Sequence, residues 1–174
     1  MTAGIKWNED ASYFDLNNDA TFSERTDDWV AYLLKKPISD LQGENFVYNS
    51  SLTQLLSEIL TTATGIPTNE YAERYLFNPI GIETYFWNKA PEGYINGGGG
   101  LFLSPQDLAR IALLYLAHGI WDEQQIVPAD WVWQSSTSLI EVESNADYGL
   151  GYGYQWWIYR RKSSIGPRMY GGWG

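Results

Sequence analysis

The chain has no cysteine and a single histidine, His118, so nucleophilic chemistry would fall to a serine activated by lysine or tyrosine. Lysine reaches serine through Ser-x-x-Lys, because three residues along a helix bring both side chains to one face. The lysines are Lys6, Lys35, Lys36, Lys89 and Lys162, and three positions before them stand Ala3, Tyr32, Leu33, Phe86 and Tyr159. The pattern does not occur in these 174 residues. A His-based triad, a thiolate metal site and a multi-histidine metal site likewise lack their ligands, and neither metal nor any other cofactor is expected. The remaining chemical feature is Phe46-Val47-Tyr48-Asn49-Ser50-Ser51, where a phenol precedes two hydroxyls at the start of a strongly periodic segment.

That segment must position them. Leu52, Leu55, Leu56, Ile59, Leu60 and Ala63 recur at helical spacing and predict one buried stripe, terminated by Gly65 and Pro67. Ser50 and Ser51 are both good N-cap types for this helix, so capping competes with a substrate role. Ahead of it, residues 1–22 read as an irregular leader. Asp15, Asn17 and Asp19 imitate the start of a calcium loop, but Ala20 and Thr26 stand where glycine and glutamate are needed, so a solvated loop is expected. Thr26, with Asp27 and Asp28 behind it, predicts the cap of a helix that stops before Pro37. A second helix is predicted over roughly 69–77. Asn96 followed by four glycines predicts a turn or tightly packed backbone. Ser104-Pro105-Gln106-Asp107 predicts the start of a helix with a buried stripe of Leu108, Ile111, Ala112, Tyr115 and Leu116. His118 is expected to serve the C-terminus of that helix. A short helix from Pro128 should carry Trp131, Val132 and Ser135. Residues 148–159, dense in aromatics and glycine, predict a loop entering a strand in which Trp156 and Trp157 face opposite ways. Helices first and strands afterwards point to an α+β protein.

Tyr48-Asn49-Ser50, the leucine-striped helix and Thr64-Gly65 resemble the second motif of the class C β-lactamase-like serine hydrolases, a Tyr-x-Asn before a helix ending in Thr-Gly. Other segments resemble the same superfamily in the same order. Met1-Thr2-Ala3-Gly4-Ile5 is similar to its Met-Thr-Ser-Gly segment, and Leu76 to Ile82 to its Leu-Phe-x-Pro-Leu-Gly signature. Gly97 to Arg110 is similar to its Gly-Gly-Gly-Leu and Asp-Leu-Ala run, and Tyr148 to Trp157 to its Tyr-Gly-x-x-Trp-Trp strand entry. The resemblance implies the mostly helical part of a penicillin-recognising fold with a first returning strand, 1–147 helical and 148–174 beginning the sheet. It implies a serine hydrolase of esters, amides or β-lactam-like compounds acting through an acyl-enzyme, with Tyr48 as the proton-transfer residue. Ser50 falls where asparagine is usual, which favours the esterase or 6-aminohexanoate-oligomer-hydrolase-like branch. Ser50 and Trp157 become candidates for substrate contact. By the same resemblance Ser-x-x-Lys should lie upstream of Met1 and a third motif near Gly171-Gly172 or beyond Gly174. These 174 residues are therefore expected to be an inactive internal piece of a bacterial hydrolase.

Composition narrows the partners. A formal net charge of −10 argues against nucleic acid and against anionic membrane surfaces. No 18-residue apolar run is present, so no spanning helix is expected. The family resemblance implies a small-molecule ester, amide or peptide as the partner. Location is open between periplasm and cytoplasm. Nine Trp and thirteen Tyr raise a rival reading, an acidic Trp-rich module binding carbohydrate or peptide on aromatic faces.

Overall fold

Short polar residues open the helices. The computed structural model describes residues 1–142, 148–161 and 169–171. Asn18 caps α1 (Asp19–Ser23), its side chain accepting from the Thr21 N–H at 3.1 Å. Asp28 caps α2 (Trp29–Leu34) through the Ala31 N–H at 2.7 Å. Thr26 therefore is not the cap; its hydroxyl donates to the Ser23 carbonyl, tying off the turn after α1. Asn49 caps α3 (Ser50–Thr64), which ends at Gly65 in the left-handed region, φ 70°, where a side chain would be strained. α4 (Thr68–Ala72) continues through a π-type turn over Glu73–Phe77 and a 3₁₀ turn over Asn78–Ile80.

Two compact units result. The first comprises 1–78 and 82–104, with α1, α2 and α3 packed on one another and β1 (Phe86–Trp87) paired antiparallel to β2 (Leu101–Phe102). One apolar cluster in it is Trp7, Ala20 and Leu33, with Ile5, Tyr32, Val47, Leu52 and Leu55 against it. The first 22 residues are therefore not a loose leader, since Trp7 and Ala20 anchor them in the core. The second unit comprises 79–81 and 105–174. It holds α5 (Pro105–Leu116), the hairpin β3 (Ile120–Trp121) and β4 (Gln124–Gln125), α6 (Ala129–Ser135), and a four-stranded antiparallel sheet. That sheet runs in the order β5 (Ile140–Val142), β6 (Tyr148–Tyr152), β7 (Trp157–Arg161), β8 (Met169–Gly171). Among the described residues of this unit, Ile80, Leu114, Val132, Tyr152 and Ile158 are the buried apolar ones. The α+β reading holds, and 148–159 forms two strands, Tyr152 pairing with Trp157 across a turn.

Two predicted stripes are displaced. On α3 the buried positions are Ser51, Gln54 and Ser57, while Leu56 and Ile59 are half exposed. The polar face is buried because it holds another backbone. Ser57 Oγ donates to the Ile95 carbonyl at 2.8 Å, and Gln54 Oε1 accepts from Gly97 N–H at 2.8 Å. A Cβ on Gly97 would lie 2.4 Å from the Thr53 carbonyl oxygen, so only glycine permits this approach. On α5 the buried residues are Asp107 and Leu114, whereas Leu108 and Leu116 are exposed. Asp107 sits inward, ion-paired with Arg110 one turn on. His118 has a left-handed backbone, φ 53°, and its carbonyl accepts from Gln125 Nε2. No helix among the described residues is long and apolar enough to cross a membrane.

Candidate functional site

The site is built where an extended strand of chain meets the first turn of α3. Val47 N–H donates to the Met1 carbonyl at 2.9 Å, and Asn49 N–H lies 3.3 Å from Met1 Sδ. Asn49 is 1% exposed and accepts from the Leu52 N–H at 3.1 Å. That buried cap fixes the residues on either side, Tyr48 before it and Ser50 after it, both half-buried. Because Asn49 does the capping, the Ser50 hydroxyl is released for other work.

That work is directed at a residue the sequence pattern did not mark. The carboxylate of Glu9, 8% exposed, accepts from Ser50 twice, from its backbone N–H at 2.8 Å and from its hydroxyl. It also accepts from Trp7 Nε1 at 2.8 Å and from the Tyr13 hydroxyl at 3.0 Å. These donors offset the cost of burying the carboxylate. The consequence reaches Tyr48. Burial first, and then the negative charge of Glu9, push its phenol above the ordinary tyrosine value, against a hydrogen bond with Ser50 that pulls it down. Burial and Glu9 push the Tyr13 phenol up as well, and they raise the Glu24 carboxyl.

The Asp15–Asp19 run frames Glu9. Asn18 Nδ2 donates to the Ala11 carbonyl at 2.7 Å, and Asn8 Nδ2 to the Asn17 carbonyl at 2.9 Å. Asp19 accepts from the Asn8 N–H at 2.8 Å, the Tyr32 hydroxyl at 2.7 Å and the Lys36 ammonium. Burial alone would raise the Asp19 carboxyl, but the bonds from Lys36, Tyr32 and Asn8 outweigh it and hold it below the usual carboxylate value. The run that resembles a calcium loop is thus a hydrogen-bonded brace. Among the described residues no group of three His, Cys, Asp or Glu could hold a metal ion.

The glycine run completes the floor beside Ser50. Trp87 Nε1 donates to the Asn96 carbonyl at 2.8 Å, and a Cβ on Gly98 would stand 2.9 Å from the Ser50 carbonyl oxygen. The third candidate, Trp157, belongs to the second unit, where its ring meets Tyr152 edge-on at 5.0 Å. Trp156 lies before β7 rather than in it, packed on Tyr115 at 4.7 Å. Many other aromatic rings are likewise committed to one another, including Trp7 with Tyr32 and the parallel stack of Trp131 on Tyr154. Gly172 to Gly174, where a third motif would start, and Lys162 lie outside the described residues.

No curated protein matches the chain. Among solved structures it resembles an octameric penicillin-binding protein homologue from Pyrococcus abyssi, at 25% identity and TM-score 0.60, over 70% of this chain and 32% of that one. A Bacillus anthracis protein provisionally named a 6-aminohexanoate-dimer hydrolase shares the fold at 18% identity and TM-score 0.71, over 98% of this chain and 50% of that one. So does a Bacteroides dorei protein provisionally named a beta-lactamase, at 15% identity and TM-score 0.58, over 92% of this chain and 58% of that one. The chain thus spans between about a third and three fifths of these structures' length. The family model for the beta-lactamase domain matches residues 1–174 from end to end, and the chain belongs to the beta-lactamase family.

Proposed function

We propose that these residues form part of the catalytic domain of a serine hydrolase that cleaves esters or amides through an acyl-enzyme. The observation that carries the reading is the Tyr48 phenol, half-buried and kept protonated, held beside the Ser50 hydroxyl by the Asn49 cap. A protonated phenol next to a reacting centre is suited to relay a proton. In the reaction a serine oxygen bonds to the substrate carbonyl carbon, the leaving group departs with the serine's proton by way of Tyr48, and water then releases the acyl group. No Ser-x-x-Lys occurs in the sequence, so the nucleophile and its lysine come from chain outside these residues, and the 174 residues alone do not turn substrate over. Residues 1–174 are one partial domain of that larger protein. Tyr48 is its proton-transfer residue, with Ser50 and Trp157 in contact with substrate.

A fluorophosphonate probe tests this. The intact protein is labelled at a serine upstream of Met1, and the 174-residue chain is not. Tyr48→Phe in the intact protein lowers kcat by about 10²- to 10³-fold. Labelling of the short chain, or an intact Tyr48→Phe enzyme of full activity, rejects the proposal.

A further inference from the structure

Asn96-Gly97 is the one Asn-Gly pair in the chain. In such a pair the glycine amide nitrogen, with no side chain in front of it, can attack the asparagine Cγ and close a five-membered succinimide ring. The fold itself demands the reactive partner. A Cβ at position 97 would stand 2.4 Å from the Thr53 carbonyl oxygen and 2.9 Å from the Ser57 Cβ, so only glycine lets this segment lie on α3. Asn96 and Gly97 are no more than half-buried, and water reaches them. What opposes the reaction is hydrogen bonding. Gly97 N–H donates at 2.8 Å to Oε1 of Gln54, a side chain 1% exposed. The nitrogen must give up that bond and its proton before it can attack. Asn96 is held as well: its N–H donates to the Asn88 carbonyl at 2.9 Å, its carbonyl accepts from Trp87 Nε1 at 2.8 Å, and its Oδ1 accepts from the Gly98 N–H at 2.9 Å. Ring closure turns the Asn96 side chain and the 96–97 peptide against each other, and each of these bonds resists that rotation.

We infer that Asn96-Gly97 is a latent self-modification site, poised to form a succinimide, which Gln54 keeps shut while the chain is folded. The site stands apart from the hydrolase reading. When the segment opens, hydroxide takes the proton from the Gly97 nitrogen, that nitrogen bonds to Asn96 Cγ, and the Cγ–Nδ2 bond breaks with release of ammonia. Water then opens the ring at either carbonyl and leaves aspartate or isoaspartate; nothing is oxidised or reduced. Isoaspartate routes the main chain through Cγ and lengthens it by one carbon. The segment is fixed on both sides, by Asn88 and Trp87 at Asn96 and by Gln54 at Gly97, so the longer link cannot keep both sets of bonds. Either product adds a negative charge to a chain whose formal net charge is −10 already. The isoaspartyl form cannot reseat on α3, so the change runs one way. It also disturbs the backbone that meets α3 at its first turn, where Gly98 packs on the Ser50 carbonyl.

The test follows conversion of Asn96 in the intact protein, kept in mildly alkaline buffer, by peptide mass spectrometry, with isoaspartate scored by enzymatic methylation. Folded wild type converts at least about tenfold more slowly than the same protein held unfolded in guanidinium chloride, because only the opened fraction reacts. Gln54→Leu keeps the bulk and removes the acceptor, and it speeds conversion by about five- to tenfold, the value of one hydrogen bond. Gln54→Glu keeps an acceptor in the same place and stays near wild type. Asn49, the buried cap followed by Ser50, serves as the control for the rest of the fold, and it stays unconverted in Gln54→Leu when the opening is local. Hydrogen exchange needs no variant: the Gly97 amide in wild type is protected by a factor similar to the one by which folding slows conversion. Three results overturn the inference. They are a folded wild type that converts as fast as the unfolded chain, a Gly97 amide that exchanges freely, and a natively folded Gln54→Leu that converts at the wild-type rate.

Discussion

Glu9 and Glu92 are both buried carboxylates of the first unit, and they are treated in opposite ways. Glu9 accepts from four donors, two of them on Ser50. The two carboxylate oxygens of Glu92 are removed from solvent and have no hydrogen-bond partner among the described residues. The group that faces Glu92 is Glu58, itself touched by Gln54 Nε2 at 3.4 Å. Burial, then the neighbouring Glu92 and Asp28 carboxylates, push the Glu58 carboxyl above its ordinary value, against a hydrogen bond from Gln54. The lesson is that burial alone does not define a carboxylate's role. Donors hold the Glu9 carboxylate against Ser50, whereas Glu58, with a second carboxyl beside it, is pushed towards its protonated form.

The contrast can be broken by mutation of the 174-residue chain, with unfolding in urea as the readout. Glu9→Ala leaves the Trp7, Tyr13 and Ser50 donors without their acceptor and should cost about 3 kcal/mol. If it costs no more than Glu92→Ala, the distinction between the two carboxylates fails. Asn49→Ala should cost about 1–2 kcal/mol as a lost cap. It should also loosen the Ser50–Glu9 contact, seen as faster exchange of the Ser50 amide; an amide as protected as in wild type would show that Glu9, not the cap, holds Ser50. Glu92→Gln replaces a carboxyl whose buried oxygens have no hydrogen-bond partner by a neutral amide and should stabilise the chain at pH 7 by under about 1 kcal/mol. The smallest effect is a slope. A raised folded pKa at Glu58 means that the native state binds the extra proton, so stability falls as pH rises from the ordinary glutamate value through the raised one. Melting temperatures should therefore decline over that window in wild type, and decline less in Glu58→Gln. Parallel curves would remove the titration of Glu58 from the account.

Local rules carried a reader a good way. Gly65 and Pro67 end α3, Pro105 opens α5, and Pro128 precedes α6, all where backbone chemistry requires. The failures share one cause. Thr26 and Asp28 are both capping types, and Ser50, Ser51 and Asn49 are too, so composition cannot choose among them. The choice goes to whichever neighbour's backbone is already extended at that point, as Asp28 and Asn49 are. On α3 the leucine stripe was legible but the buried face was not, because Ser51, Gln54 and Ser57 are drawn inward by a backbone from 95–98 that lies about forty residues away.

Tyr48 and Ser50 could be singled out from order and spacing alone, as could the family resemblance and the absence of a Ser-x-x-Lys. Those are properties of neighbouring residues along one chain. Glu9 could not, since Trp7-Asn8-Glu9 has no periodicity or motif and becomes a site element only when α1, α2 and α3 pack and bring it to Ser50, 41 positions away. Residue type told which groups were available for chemistry. Which carboxylate meets Ser50 was decided by tertiary contact, because burying Glu9 is offset by donors that the fold draws from Trp7, Tyr13 and Ser50.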